Sequence, residues 1–129
     1  GGTGLDIFIF TNQSEYSAGL VDADHDQIYG FTTGADKLHF TAANFVGITA
    51  AGNPEIELGT GNDAKELIVT ADKTAPSHAD QRWIYNPPPG GLYYDADGDP
   101  DAGTIAVAQL LDIAGEPVST IAAADIVII

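Results

Sequence analysis

Short apolar runs, most of them four to eight residues long, are separated by clusters of Gly, Pro, Asp and Asn, and few stretches sustain a 3.6-residue period. Lys37-Leu38-His39-Phe40 alternates polar and apolar, as a strand with one buried face does. Val, Ile, Thr, Phe and Tyr dominate the runs, which favours strand over helix. The pattern predicts strands at Asp6–Thr11, Gln27–Phe31, Lys37–Phe40, Glu55–Leu58, Glu66–Thr70, Arg82–Tyr85, Leu92–Asp95, Thr104–Leu111 and Asp125–Ile129. Short helical turns are expected at Thr41–Phe45 and Ser119–Ala124, each opened by a hydroxyl residue able to cap. The fold class is mainly β.

Three zones differ in texture within what reads as a single module, 1–129. Residues 1–45 are short strands punctuated by Gly and Asp, residues 46–81 are irregular, and residues 82–129 hold a Tyr-rich hairpin, an acidic loop and an apolar tail. Pro87-Pro88-Pro89-Gly90-Gly91 is the strongest turn signal and separates two aromatic strands. A stiff hairpin loop fits it better than a proline-rich ligand or linker.

Charge narrows the function classes. The chain has 19 acidic residues, 14 of them Asp, against 4 basic ones, for a net charge of -15. With 44% hydrophobic residues it is not the composition of a disordered acidic tail. Nucleic acid and anionic membrane surfaces are disfavoured as partners, because no basic surface exists to meet phosphates. A cation is the natural partner. Cys is absent, which excludes disulfides and zinc–thiolate sites. No apolar run approaches a membrane span, so no membrane insertion is expected. The lack of Met, even at position 1, predicts a processed or excised piece of a longer chain.

The first nine residues, Gly1-Gly2-Thr3-Gly4-Leu5-Asp6-Ile7-Phe8-Ile9, fit the nonapeptide GGxGxDxUx, with Phe8 at the large apolar position. Glycines permit the positive-φ turn, and the Asp supplies a hard anionic oxygen of the kind calcium gathers in sets of about 6–8. One copy alone is equally a Gly-rich turn entering a strand. A second segment, Asp26-Gln27-Ile28-Tyr29-Gly30-Phe31-Thr32-Thr33-Gly34-Ala35-Asp36-Lys37-Leu38-His39-Phe40, resembles the stretch after the last repeats of RTX (hemolysin-type calcium-binding repeat) exoproteins, including the C-terminal region of serralysin-type proteases. Asp26, Ile28, Phe31, Gly34, Asp36, Lys37 and Leu38 match that pattern, and His39 stands where the family usually has Asp. Tyr93-Tyr94-Asp95-Ala96-Asp97-Gly98 and the ending Ala123-Ala124-Asp125-Ile126-Val127-Ile128-Ile129 are similar to the family's terminal hairpin and acidic-then-hydrophobic terminus. The pieces occur in the family's order over about half the chain, and residues 46–81 match nothing in it.

The resemblance implies the end of a calcium-binding parallel β-roll with a β-rich C-terminal cap, 46–81 being an insertion of unknown role. It implies Ca2+ as cofactor, with Asp26 and Asp36 as side-chain ligands assisted by carbonyls near Gly30 and Gly34. Asp6 would act with the carbonyls of Gly1 and Thr3. Asp22 and Asp24 either complete a site in this region or form a solvated acidic loop. The expected location is outside a bacterium, secreted or at the cell surface. The type I secretion machinery is the expected partner, and Asp125, Ile126, Val127, Ile128 and Ile129 would carry the C-terminal secretion signal. The rival reading is a calcium-stabilised binding module of a large surface adhesin, gripping a glycan or another surface ligand.

Asp95, Asp97, Asp99 and Asp101 alternate through one loop. Alternate residues of an extended chain share a face at about 6.6–7 Å, so these charges repel unless a cation intervenes. An EF-hand is excluded: counted from Asp95, the glycine position holds Pro100 and the bidentate position Ala106. A looser calcium loop and an exposed acidic hairpin loop both remain. Enzyme chemistry finds little support within these residues, since HExxH and GxSxG are absent and His25, His39 and His78 lack paired ligand spacing. A third reading is a fragment of an exoenzyme whose catalytic domain lies upstream. Trp83, Tyr85, Tyr93 and Tyr94 either line a sugar-binding face or, more in keeping with their place beside a turn, pair across the hairpin and pack on a core.

Overall fold

The computed structural model describes residues 4–11, 26–45, 56–61, 63–99 and 103–129. The expectations for Gly1, Thr3, Asp22, Asp24, His25 and Asp101 lie outside these residues. Nine strands are described: β1 Ile7–Phe10, β2 Asp26–Tyr29, β3 Lys37–Phe40, β4 Leu58–Gly59, β5 Leu67–Val69, β6 Trp83–Asn86, β7 Gly91–Tyr94, β8 Ile105–Leu111 and β9 Ile126–Ile128. Each overlaps one of the expected runs. Single 3-10 turns occupy Ala42–Asn44 and Ala123–Asp125.

Two sheets enclose the core. The first has the order β1-β3-β9, all parallel, and the second the order β2-β8-β7-β6-β5-β4. The chain passes from β1 in the first sheet to β2 in the second and returns to β3, which pairs beside β1. Alternation decides what faces inward. Phe10, Leu38, Phe40, Ile126 and Ile128 are buried, whereas Ile7 and Ile9 point out and are more than half exposed. Register places Phe10 opposite Phe40, and their rings stack at 4.7 Å.

In the second sheet β6 and β7 form an antiparallel hairpin around 87–90, with Trp83 opposite Tyr94 and Ile84 opposite Tyr93. Trp83, Tyr85, Leu92 and Tyr94 face the first sheet, where Phe40 lies 5.3 Å from Trp83 and 6.3 Å from Tyr94 between ring centroids. Ile68, Ile84, Tyr93 and Ala106 form a smaller cluster on the other face. Burial on both faces explains why β6 and β7 read as unbroken apolar runs rather than as alternation. β8 joins this hairpin antiparallel, with an irregularity at Leu92/Tyr93, and carries β2 in parallel on its other edge.

The described part of 46–81 belongs to the same framework. β4 and β5 continue the second sheet in parallel from β6, and Leu67 and Ile68 are fully buried. The hydroxyl caps do not form as expected. Thr41 makes no side-chain cap bond, and the second turn begins after Ala122, whose N–H is accepted by the Asp125 carboxylate at 2.9 Å.

Candidate functional site: the Asp-closed turns

Asp36 sits just before β3 and is fully buried. Its turn needs a residue with positive φ, which Gly34 provides at 84°. The Asp36 N–H donates to the Thr32 carbonyl at 2.9 Å, and its carboxylate accepts in return the Thr32 N–H at 2.8 Å. The other carboxylate oxygen accepts the Asp6 N–H at 3.0 Å, thirty residues away. Because Ile7 pairs with Lys37, Asp6 and Asp36 stand side by side at the entrance to two parallel strands. One ionised group therefore closes its own turn and ties it to the preceding strand by charge-assisted bonds.

Asp125 does the same for the next strand. It is fully buried before β9 and accepts the Gly34 N–H at 2.8 Å, the Thr33 hydroxyl at 2.5 Å and the Ala122 N–H at 2.9 Å. Lys37 adds a positive charge at 3.8 Å. Asp6, Asp36 and Asp125 thus gather at one end of the first sheet. Asp26 does not join them. It opens β2 in the other sheet, at the end of that strand away from the turn through Gly30 and Gly34.

The acidic loop is organised by its own backbone. Asp95 is fully buried; one oxygen accepts the Asp97 and Gly98 N–H groups at 3.1 and 2.7 Å, the other the Thr104 hydroxyl at 2.5 Å. Asp97 in turn accepts the Asp99 N–H at 2.9 Å, and that bond holds its carboxyl below the usual carboxylate range. Gly98, at φ 76°, lies so close to the 78–79 backbone that a Cβ would come within 2.6 Å of two carbonyl oxygens. Asp95 is buried, and its carboxylate is occupied by the loop's own N–H groups and the Thr104 hydroxyl. Among the described residues no group of three or more His, Asp or Glu side chains is placed to hold a metal. The donors that Asp6 and Asp36 offer are nonetheless of the right kind for calcium, being hard anionic oxygens.

A third turn escaped the reading of the sequence. Thr60-Gly61-Asn62-Asp63 repeats the Thr-Gly-x-Asp of Thr3-Gly4-Leu5-Asp6 and Thr33-Gly34-Ala35-Asp36. Gly61 again has positive φ, and Asp63 accepts the Thr60 N–H at 2.9 Å. Here the turn is held from outside. Lys73 Nζ donates to Gly61 O at 2.6 Å, to Ser77 Oγ and to Gln81 Oε1 at 3.2 Å. The buried Gln81 amide donates to Gly61 O at 3.1 Å and Asp63 O at 2.9 Å. Burial pushes the pKa of the Lys73 ammonium below its ordinary value. The recurrence of Thr-Gly-x-Asp was the available signal, and the irregular texture of 46–81 concealed it.

The aromatic residues face inward. Trp83, Tyr85, Tyr93 and Tyr94 are all buried, and the Tyr85 hydroxyl donates to Val118 O at 2.5 Å. Burial raises the phenol pKa of Tyr85, Tyr93 and Tyr94. They pair across the hairpin, and none offers an open ring face to a sugar. No described helix is long and apolar enough to cross a membrane. Compared with protein-family models, with curated proteins and with solved structures, the chain finds no match in any of the three.

Proposed function

We propose that this chain is a calcium-responsive C-terminal β-roll module of a secreted protein of the RTX kind, folding on calcium after export. The observation that carries the reading is the parallel pairing of β1 with β3, which sets Asp6 beside Asp36 and lets the Asp36 carboxylate accept the Asp6 N–H. Asp6 and Asp36 would hold the ion, with turn carbonyls near Gly1, Thr3, Gly30 and Gly34 completing the set. Bound calcium would supply positive charge to a row of carboxylates, in addition to the Lys37 ammonium 3.8 Å from Asp125.

Linkage gives the mechanism. With a net charge of -15 the calcium-free chain repels itself, which favours an expanded state. An ion that binds only the folded form adds RT ln(1 + [Ca]/Kd), about 2.7 kcal/mol when calcium is at 100 Kd. A loose chain in the cell and a compact one outside follow from the difference in calcium. In this scheme Asp125–Ile129 is read by the exporter before folding, because in the folded chain β9 is paired to β3 and Asp125 is buried.

The test is a calcium titration of metal-free protein, followed by calorimetry and thermal melting. Saturable binding with a rise of several degrees in Tm, unmatched by equal magnesium, is expected. Asp36→Asn should lose that increment, while Asp72→Asn, at an exposed position, should keep it. A wild-type Tm that is the same in chelator and in calcium would sink the proposal.

A further inference from the structure

The third turn contains a feature that the calcium reading does not use. An ammonium group has three donors and no acceptor. Those of Lys73 meet three oxygens from three separate places in the chain: Gly61 O in the turn, Ser77 Oγ four residues on, and Gln81 Oε1. The oxygens are themselves fixed. Gly61 O also accepts the Gln81 amide and the Ser77 hydroxyl, and Gln81 Oε1 also accepts the Ser77 N–H at 2.8 Å. Gln81 is fully buried, so its amide cannot turn to water. Neutral hard oxygens converging on one point from a rigid frame form a cation site, and here the cation is covalently attached.

We propose that the Lys73 ammonium is a resident cation, seated in an oxygen site that accepts a free hard cation when the side chain is removed. The turn at 59–66 is thereby closed by the chain's own charge, without help from solution. β5 and β6 pair directly behind this turn, with Arg82 N and Trp83 N both donating to Glu66 O at 2.9 Å. The β4–β6 side of the second sheet thus carries its counter-ion with it. This inference deepens the calcium reading by assigning one turn to an internal cation, and it is testable apart from it.

The experiment uses Lys73→Ala in the full chain, in metal-free buffer, with hydrogen exchange at the Ser77 and Leu67 amides as readout. Both should exchange at least tenfold faster than in the wild type. Propylammonium, which replaces the missing end of the side chain, should restore protection saturably, and sodium or calcium should do so as well. Calorimetry should count one more bound ion in the variant than in the wild type. Lys73→Arg should retain most protection with no cation added. Unchanged exchange, or a loss that no cation reverses, would overturn the proposal. If Lys73→Ala is unfolded, recovery of the β circular dichroism signal on adding cation supports it, and failure to recover refutes it. A wild type that binds no calcium would remove the proposed function, but the difference in ion count between variant and wild type would still decide this inference.

Discussion

The turn at 32–36 and the turn at 59–66 share a tetrapeptide and differ in what reaches it. In the first, the Asp36 carboxylate turns inward and accepts N–H groups from its own turn and from Asp6. In the second, Asp63 is exposed and accepts the Thr60 N–H, while Lys73 and Gln81 grip the carbonyls. The first turn concentrates negative charge against neighbouring strands, and the second neutralises its oxygens locally. The Thr-Gly-x-Asp motif therefore specifies a backbone bend, and residues well outside it determine where the positive charge comes from.

The largest effect that would sharpen this contrast is at the two aspartates. Asp36→Ala removes a buried carboxylate that accepts two part-buried N–H groups and should cost about 3 kcal/mol, whereas Asp63→Ala should cost less than about 1 kcal/mol. Equal costs in denaturant unfolding would erase the distinction. Asp125→Asn keeps one acceptor oxygen but sets an amide donor against the N–H and hydroxyl groups that the carboxylate accepts. About 2 kcal/mol is expected, with the Gly34 amide the first to lose exchange protection. Lys37→Met should be the mildest, about 0.5 kcal/mol, because its pair with Asp125 is long and partly solvated. A loss of several kcal/mol there would mean that the first sheet also depends on an internal cation.

Much of the strand pattern is legible in the sequence because its inward residues are large and spaced by two, as at Leu38 and Phe40. β4 and β5 are only two and three residues long, and their parallel partners are fixed by contacts no local pattern records. The site was legible in its residue types and less so in their use. Asp36 stood out as an acidic residue after a Gly turn, but its bond to Asp6 is set by strand register. Asp125 stood out as part of an apolar terminus, yet its carboxylate serves Thr33 and Gly34, 92 and 91 residues earlier. Lys73 is one of 4 basic residues in an acidic chain and gave no signal by itself. Its meaning depends on Gly61, 12 residues before it, and Gln81, 8 residues after it.

The placement of β9 beside β3 also sets an order of events. A chain growing from its amino end makes β3 and the 32–36 turn early, but the carboxylate that satisfies Thr33 and Gly34 arrives only with Asp125. Until then β3 has a neighbour on one side only, and Ile126 and Ile128 are missing from the core. Contacts of such long sequence separation make folding slow, because loop-closure entropy is lost before the contact is gained. The first sheet is thus completed by its last strand in sequence, and it stays open until Asp125 and β9 have been made.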